Sequence, residues 1–228
     1  MIAAATALMC AAIGLSLGLT GSPSAATGNV APASGSAGGF GSGGGASNAR
    51  SGPAEGGAAG TVGALSASGF TMTTAAGQQV SVSEAASTTY LNGTSSSSAD
   101  AVAPGETVLV LGMTNGTTIA ATQVIVQPAG DYGSVASSAA GVVPFQQGAP
   151  STSKHVGQIP VDYTQGSGTI VSGAAADQAT KAALAAYPGG VVDRVVRLSG
   201  GQYEVHDIGV NWPHHIFVSQ DFKVVGAN

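Results

Sequence analysis

From Gly60 onward, short apolar runs alternate with polar positions and turn residues. Thr61-Val62-Gly63-Ala64-Leu65, Phe70-Thr71-Met72-Thr73, Gln79-Val80-Ser81-Val82, Thr88-Thr89-Tyr90, Thr107-Val108-Leu109-Val110-Leu111 and Ala121-Thr122-Gln123-Val124-Ile125-Val126 have strand character. Ala76-Gly77, Asn92-Gly93, Pro104-Gly105 and Asn115-Gly116 separate them as turns. Phe70, Met72, Val80 and Val82 alternate with polar neighbours, which predicts half-buried strands. Val108 to Leu111 is apolar at every position and predicts a central strand. So many short strands within residues 60–127 predict a small all-β barrel.

The period changes after Val171. Thr180, Ala183, Leu184 and Tyr187 stand at i, i+3, i+4 and i+7 and share one helix face. Ser172 is the expected N-cap, and Asp177 favours the positive end of the helix dipole. Asp177 and Lys181 are four apart in the favourable order, and Pro188-Gly189-Gly190 ends the helix. Tyr203 and Val205 alternate with Gln202, Glu204 and His206. Ile216, Val218, Phe222 and Val224 alternate with Phe217, Ser219, Asp221 and Lys223, as one strand. Residues 166–228 are therefore expected to be an α+β module, one helix on a three-stranded antiparallel sheet. Leu184, Val205 and Phe222 are its expected centre. On that phase Phe222→Ala costs roughly 3–5 kcal/mol, while His215→Ala is a nearly silent surface change.

The flanking segments lack such periods. Ile2 to Leu19 is apolar or small, and Ser22-Pro23-Ser24-Ala25-Ala26 offers a small-residue cleavage site. Residues 1–26 therefore read as a secretory signal peptide, with an uncleaved membrane anchor over residues 2–19 as the alternative. No Lys or Arg stands near Met1, as a signal normally requires. Residues 27–59, rich in Gly, Ser and Ala, are expected to be a disordered spacer. Residues 128–165, with Pro128, Pro144, Pro150 and Pro160, read as a linker between two separate small domains. Gly39-Phe40-Gly41-Ser42-Gly43-Gly44 matches GxGxxG only formally, since no strand precedes it and no helix follows.

Composition narrows the partners. Only 7% of residues are charged and the net charge is -5, which excludes a phosphate-neutralising nucleic-acid surface. Residues 60–127 contain no Lys or Arg, and Phe70 and Tyr90 are their only aromatics, so single-stranded DNA binding is excluded too. Cys10 is the single cysteine, which rules out an intramolecular disulfide and a Cys-rich metal site. It lies inside the apolar run and not at its end, which argues against lipid attachment.

Two resemblances add to this reading. Gly60, Val62, Gly69, Phe70, Gly77, Val80, Val82, Pro104, Gly105, Glu106, Val108, Val110, Gly112, Ile119, Ala121 and Val124 resemble the pattern of an OB-like bacterial family of unknown function, over residues 60–127. Pro188, Gly189, Tyr203, Glu204, Val205, Asp221 and Val225 resemble the PepSY domain, an extracytoplasmic module associated with peptidase propeptides and envelope proteins. Gly209-Val210-Asn211-Trp212-Pro213 departs from that pattern, where a simple polar turn is usual. The PepSY resemblance implies an exported binding module whose partner is an extracytoplasmic peptidase or another envelope protein. It carries over no catalytic residue.

Candidate chemistry is sparse. No GxSxG elbow, HExxH motif or P-loop is present. Glu204 and Asp207, three apart on a strand, are expected on opposite faces, and so are His214 and His215. His155, His206, His214 and His215 are accordingly read as solvated, with no metal or other cofactor. Asn92-Gly93-Thr94 and Asn115-Gly116-Thr117 match glycosylation sequons but are better explained as hairpin turns. Trp212, either a plug at the sheet end or an anchor, and Tyr203 are the candidate partner contacts. The expectation is an exported, non-enzymatic, protein-binding or peptidase-modulating protein of the envelope. The alternative is a structural or stress-related envelope protein without a peptidase partner.

Overall fold

A computed structural model describes residues 53–127, 155–210 and 212–228. The first seven strands are β1 (Ala54–Ser66), β2 (Gly69–Thr74), β3 (Gln79–Ser83), β4 (Thr89–Asn92), β5 (Ser95–Ser96), β6 (Thr107–Asn115) and β7 (Thr118–Gln127). A short 3-10 turn at Ala99–Ala101 precedes β6. β1 pairs with β2, β2 with β3, β3 with β7 in parallel, β7 with β6, and β6 again with β1. That cycle closes a small barrel, compatible with the OB-like expectation for this part of the chain. β1 begins at Ala54, so the barrel takes six residues from the expected spacer of residues 27–59. Residues 1–52 and 128–154 lie outside the described residues, and with them the expected leader or anchor, most of the spacer and most of the linker. Among the described residues no helix is long and apolar enough to cross a membrane.

The C-terminal half adds β8 (Val156–Gly157), β9 (Thr169–Ile170), helix α1 (Ala174–Ala186), β10 (Val191–Arg197), β11 (Tyr203–Ile208), β12 (His215–Val218) and β13 (Val224–Ala227). β10, β11, β12, β13 and β8 follow one another as antiparallel neighbours, and β9 pairs with β10. This half is not a separate domain. Gly57 and Ala58 of β1 pair with Val192 and Val191 of β10, so the described strands form one mixed sheet of 13. The predicted independent PepSY-like module, one helix on three strands, is therefore corrected.

The physical reason lies in β1. Its run Gly56-Gly57-Ala58-Ala59 belongs to the expected spacer, on the ground that such residues bury too little to order. Small residues instead let three neighbours approach it. A Cβ on Gly56 would strike the Val192 carbonyl. One on Gly57 would strike the Val110 carbonyl and press on Leu111 and Thr180. Hence β1 can be wall to the barrel, partner to β10 and floor to α1.

Two cores share this wall. Ala58, Val62, Phe70, Met72, Val80, Val82, Val108, Val110 and Val124 fill the barrel. Ala59, Leu109, Leu111 and Ile125 point out of it, against α1 and the inward residues of β10 to β13. The apolar run Val108 to Leu111 thus serves one core on each face. On α1 and its C-cap, Thr180, Ala183, Leu184 and Tyr187 are all fully buried, on the predicted face. The N-cap is Gly173 and not Ser172, and its N–H donates to the Glu55 carboxylate of β1. Lys181 donates to the side-chain carbonyl of Gln123 on β7 at 2.9 Å.

Phe222 is a second correction. Residues 215–227 are two strands joined by a turn, not one strand. Phe222 sits in that turn at φ 57, half-buried, and stacks on Tyr203 with ring centres 5.4 Å apart. Leu184 and Val205 are central as predicted. Phe222→Ala should therefore cost about 1–2 kcal/mol, well short of unfolding. Urea melts of the full chain check this.

Candidate functional site

The three central C-terminal strands bury both faces. Val195, Val205 and Ile216 face α1. On the other face Arg194, His206 and His215 form one cross-strand row, and Val196, Glu204 and Phe217 form the next. Tyr163 covers these rows, its ring centre 4.7 Å from that of Phe217 and 5.6 Å from that of His215. A second layer on this face was not anticipated, so Glu204 and His206 were assigned to solvent. Glu204 is in fact 1% exposed.

Burial decides the chemistry of the cluster. The Nδ1 atom of His215 lies 2.6 Å from Oε1 of Glu204, and Nδ1 of His206 lies 2.7 Å from Oδ1 of Asp193. A carboxylate at this distance calls for the hydrogen on Nδ1 of each ring, while at His206 the Arg194 guanidinium also lies 3.2 Å from the same nitrogen. A bulge between Val192 and Arg194 brings Asp193 and Arg194 to the same side as His206. The Arg194 guanidinium stands 3.5 Å from the Asp193 carboxylate. The Thr114 hydroxyl lies 3.2 Å from the Asp193 carbonyl and 2.9 Å from that of Ala54, which ties the bulge to the barrel. Burial, and then the charge of Glu204, push the Tyr163 phenol up to about 12.

His214 corrects the alternation argument. It precedes β12, which begins at His215, so the two imidazoles need not face apart. Their ring centres are 5.7 Å apart, and His206 lies 5.0 Å from His214 and 5.2 Å from His215. The His214 side chain reaches solvent, yet burial of its packed side and the neighbouring imidazoles hold its pKa below the ordinary range. His155 is exposed and stands apart from this group.

The predicted contact residues lie elsewhere. Trp212 and Tyr203 are each 8% exposed and belong to the core around α1. Trp212 meets Tyr187 edge-on at 5.6 Å, so it is the plug and not a free anchor. The residues missed were Asp193, Arg194 and Tyr163. Their signal was the charged pair Asp193-Arg194 between Val191-Val192 and Val195-Val196, which breaks the period as a bulge does.

Asp207 is also buried, 1% exposed, with Oδ1 unpartnered. Burial, and next the charge of Asp193, hold its pKa well above the usual carboxylate range. The unfolded chain releases this proton at the ordinary pKa, whereas the folded chain keeps it to higher pH. Stability attributable to Asp207 is therefore full in acid and falls as pH rises through that interval. Asp207→Asn should flatten this fall, read as urea midpoints across pH 4–8.

A second feature is an open groove of about 730 Å³ beside β9, lined by Asp162, Ser167–Thr169, Val171, Arg197–Ser199 and Gly201. Asp162 accepts hydrogen bonds from Ser199 Oγ and Gly200 N, each at 2.6 Å, which lower its pKa. The Val171 N–H donates inward to the Val195 carbonyl, so alternation turns the Ile170 N–H to the open edge. No family model, curated protein or solved structure matches the chain.

Proposed function

We propose that the chain is an exported, non-enzymatic protein-binding protein of the cell envelope, with an extracytoplasmic peptidase or another envelope protein as its partner. Its open edge at β9, beside the groove, carries this reading. A partner segment can add there as a strand, through main-chain hydrogen bonds, with side chains in the groove. Sheet edges are normally covered, charged or kept very short, and an uncovered one is open to pairing. β9 leaves Ile170 39% exposed, and Arg197 lines the groove beside it. The apolar leader-like segment supports export, and the absence of any nucleophile motif supports a non-catalytic role.

The test uses the full chain, because removing residues 166–228 would strip β10 from β1 and probe folding instead. Ile170→Pro deletes the outward N–H, and Arg197→Glu reverses the groove charge. Envelope proteins retained by the immobilised parent chain should be lost from both variants, with unchanged melts. Equal retention by folded variants would reject the reading.

A further inference from the structure

We propose that His206, His214 and His215 form a binding site for a divalent transition metal, zinc being the ion that best suits their donors. The inference is independent of the β9 groove. The first observation is spacing. Zinc–imidazole bonds of about 2.0–2.1 Å place ring centres about 3 Å from the ion, hence roughly 5 Å apart in tetrahedral geometry. The three observed separations are 5.0, 5.2 and 5.7 Å. The rings are inclined at 61°, 61° and 90°, edge to face and not stacked, which leaves room between them for an ion.

The second observation is orientation. Asp193 and Glu204 each hold an imidazole at Nδ1, an arrangement that presents Nε2 to a metal and raises its basicity. Glu204 is nearly fully buried, and its second oxygen has no hydrogen-bond partner. Two carboxylates, Asp193 and Glu204, stand against the single Arg194 guanidinium beside these rings, a balance that favours a cation. No three donors among the described residues already converge as a cage. Completing one takes a rotation of the His214 ring, which exchanges its hydrogen bond to the Val210 backbone for the ion. The His214 backbone N–H donates to the Asn228 carbonyl at 2.8 Å, and its side chain reaches solvent. Water fills the fourth position, as in open three-histidine sites.

The experiment titrates Zn2+ into the full metal-free chain by calorimetry, with metal content measured after dialysis. Co2+ serves as a spectroscopic stand-in. One ion per chain should bind, with Co2+ absorption typical of four-coordination. His214→Ala, its folding checked by an unchanged melt, should weaken binding at least tenfold. Glu204→Gln should weaken it roughly 10–100-fold by loosening His215, as loss of such supporting groups does. His155→Ala should leave it unchanged. Absence of stoichiometric Zn2+, or equal affinity in His214→Ala, would overturn the proposal.

Discussion

Gly57→Val should destabilise the whole folded unit by at least about 3 kcal/mol, the upper end of the overpacking range. For a unit of this size that is roughly 6–12 °C in melting temperature. The side chain has no direction in which to yield. A Cβ there meets the Val110 backbone carbonyl on one side and Leu111 and Thr180 at 3.2 and 3.3 Å on the other. Two of these neighbours are barrel wall and one is α1, so relief on one side tightens the other. Because β1 also pairs with β10, the barrel and the C-terminal sheet should melt together. The described residues accordingly all fall in one compact unit. Calorimetry should show one transition that moves as a whole. Two transitions, with only one displaced by the substitution, would mean that the halves fold separately after all. Gly63→Val is the control, since a Cβ there meets only Thr71.

The barrel was legible because its signals are local. Alternation at Phe70, Met72, Val80 and Val82 and turns at Asn92-Gly93 and Asn115-Gly116 act within a few residues, and all lie where predicted. The join between the halves was not legible. β1 meets β10 across more than a hundred residues, and its Gly-Ala run carries no hydrophobic period that would announce a buried strand. Its fitness is a matter of room, which only the neighbours reveal. The C-terminal sheet failed for a related reason. Alternation assigns one face to the core and the other to water, but the segment around Tyr163 covers the second face. Glu204 and His215 look like surface residues in a one-sided sheet and are interior residues in a two-sided one. Phe222 was misplaced because its spacing fits a continuous strand equally well. Only the turn between Ser219 and Lys223, closed by hydrogen bonds between them, interrupts it. The three histidines of the cluster were visible as residues, but their approach to one another depends on where β12 begins.

The reversal at His215 gives the other large effect. His215→Ala was expected to be silent. It should instead cost roughly 3–5 kcal/mol, the range for removing one partner of a buried pair. Glu204 is the reason. Its Oε1 takes a 2.6 Å hydrogen bond from His215, and its Oε2 already has no partner. Its cross-strand neighbours are Val196 and Phe217, both fully buried, so no water or polar side chain in that row replaces the imidazole. The variant would hold a carboxyl group with both oxygens unsatisfied in an apolar layer. The size of the loss should therefore depend on residue 204. Glu204→Leu, in the same background, removes the stranded group and fits between Val196 and Phe217. The double variant should recover more than half of the stability lost by His215→Ala alone. Urea unfolding in the presence of a chelator reads the effect without any metal contribution, with the denaturant slope checked for constancy. A double variant no more stable than His215→Ala would show that the imidazole matters through its packing against Tyr163 and not through Glu204.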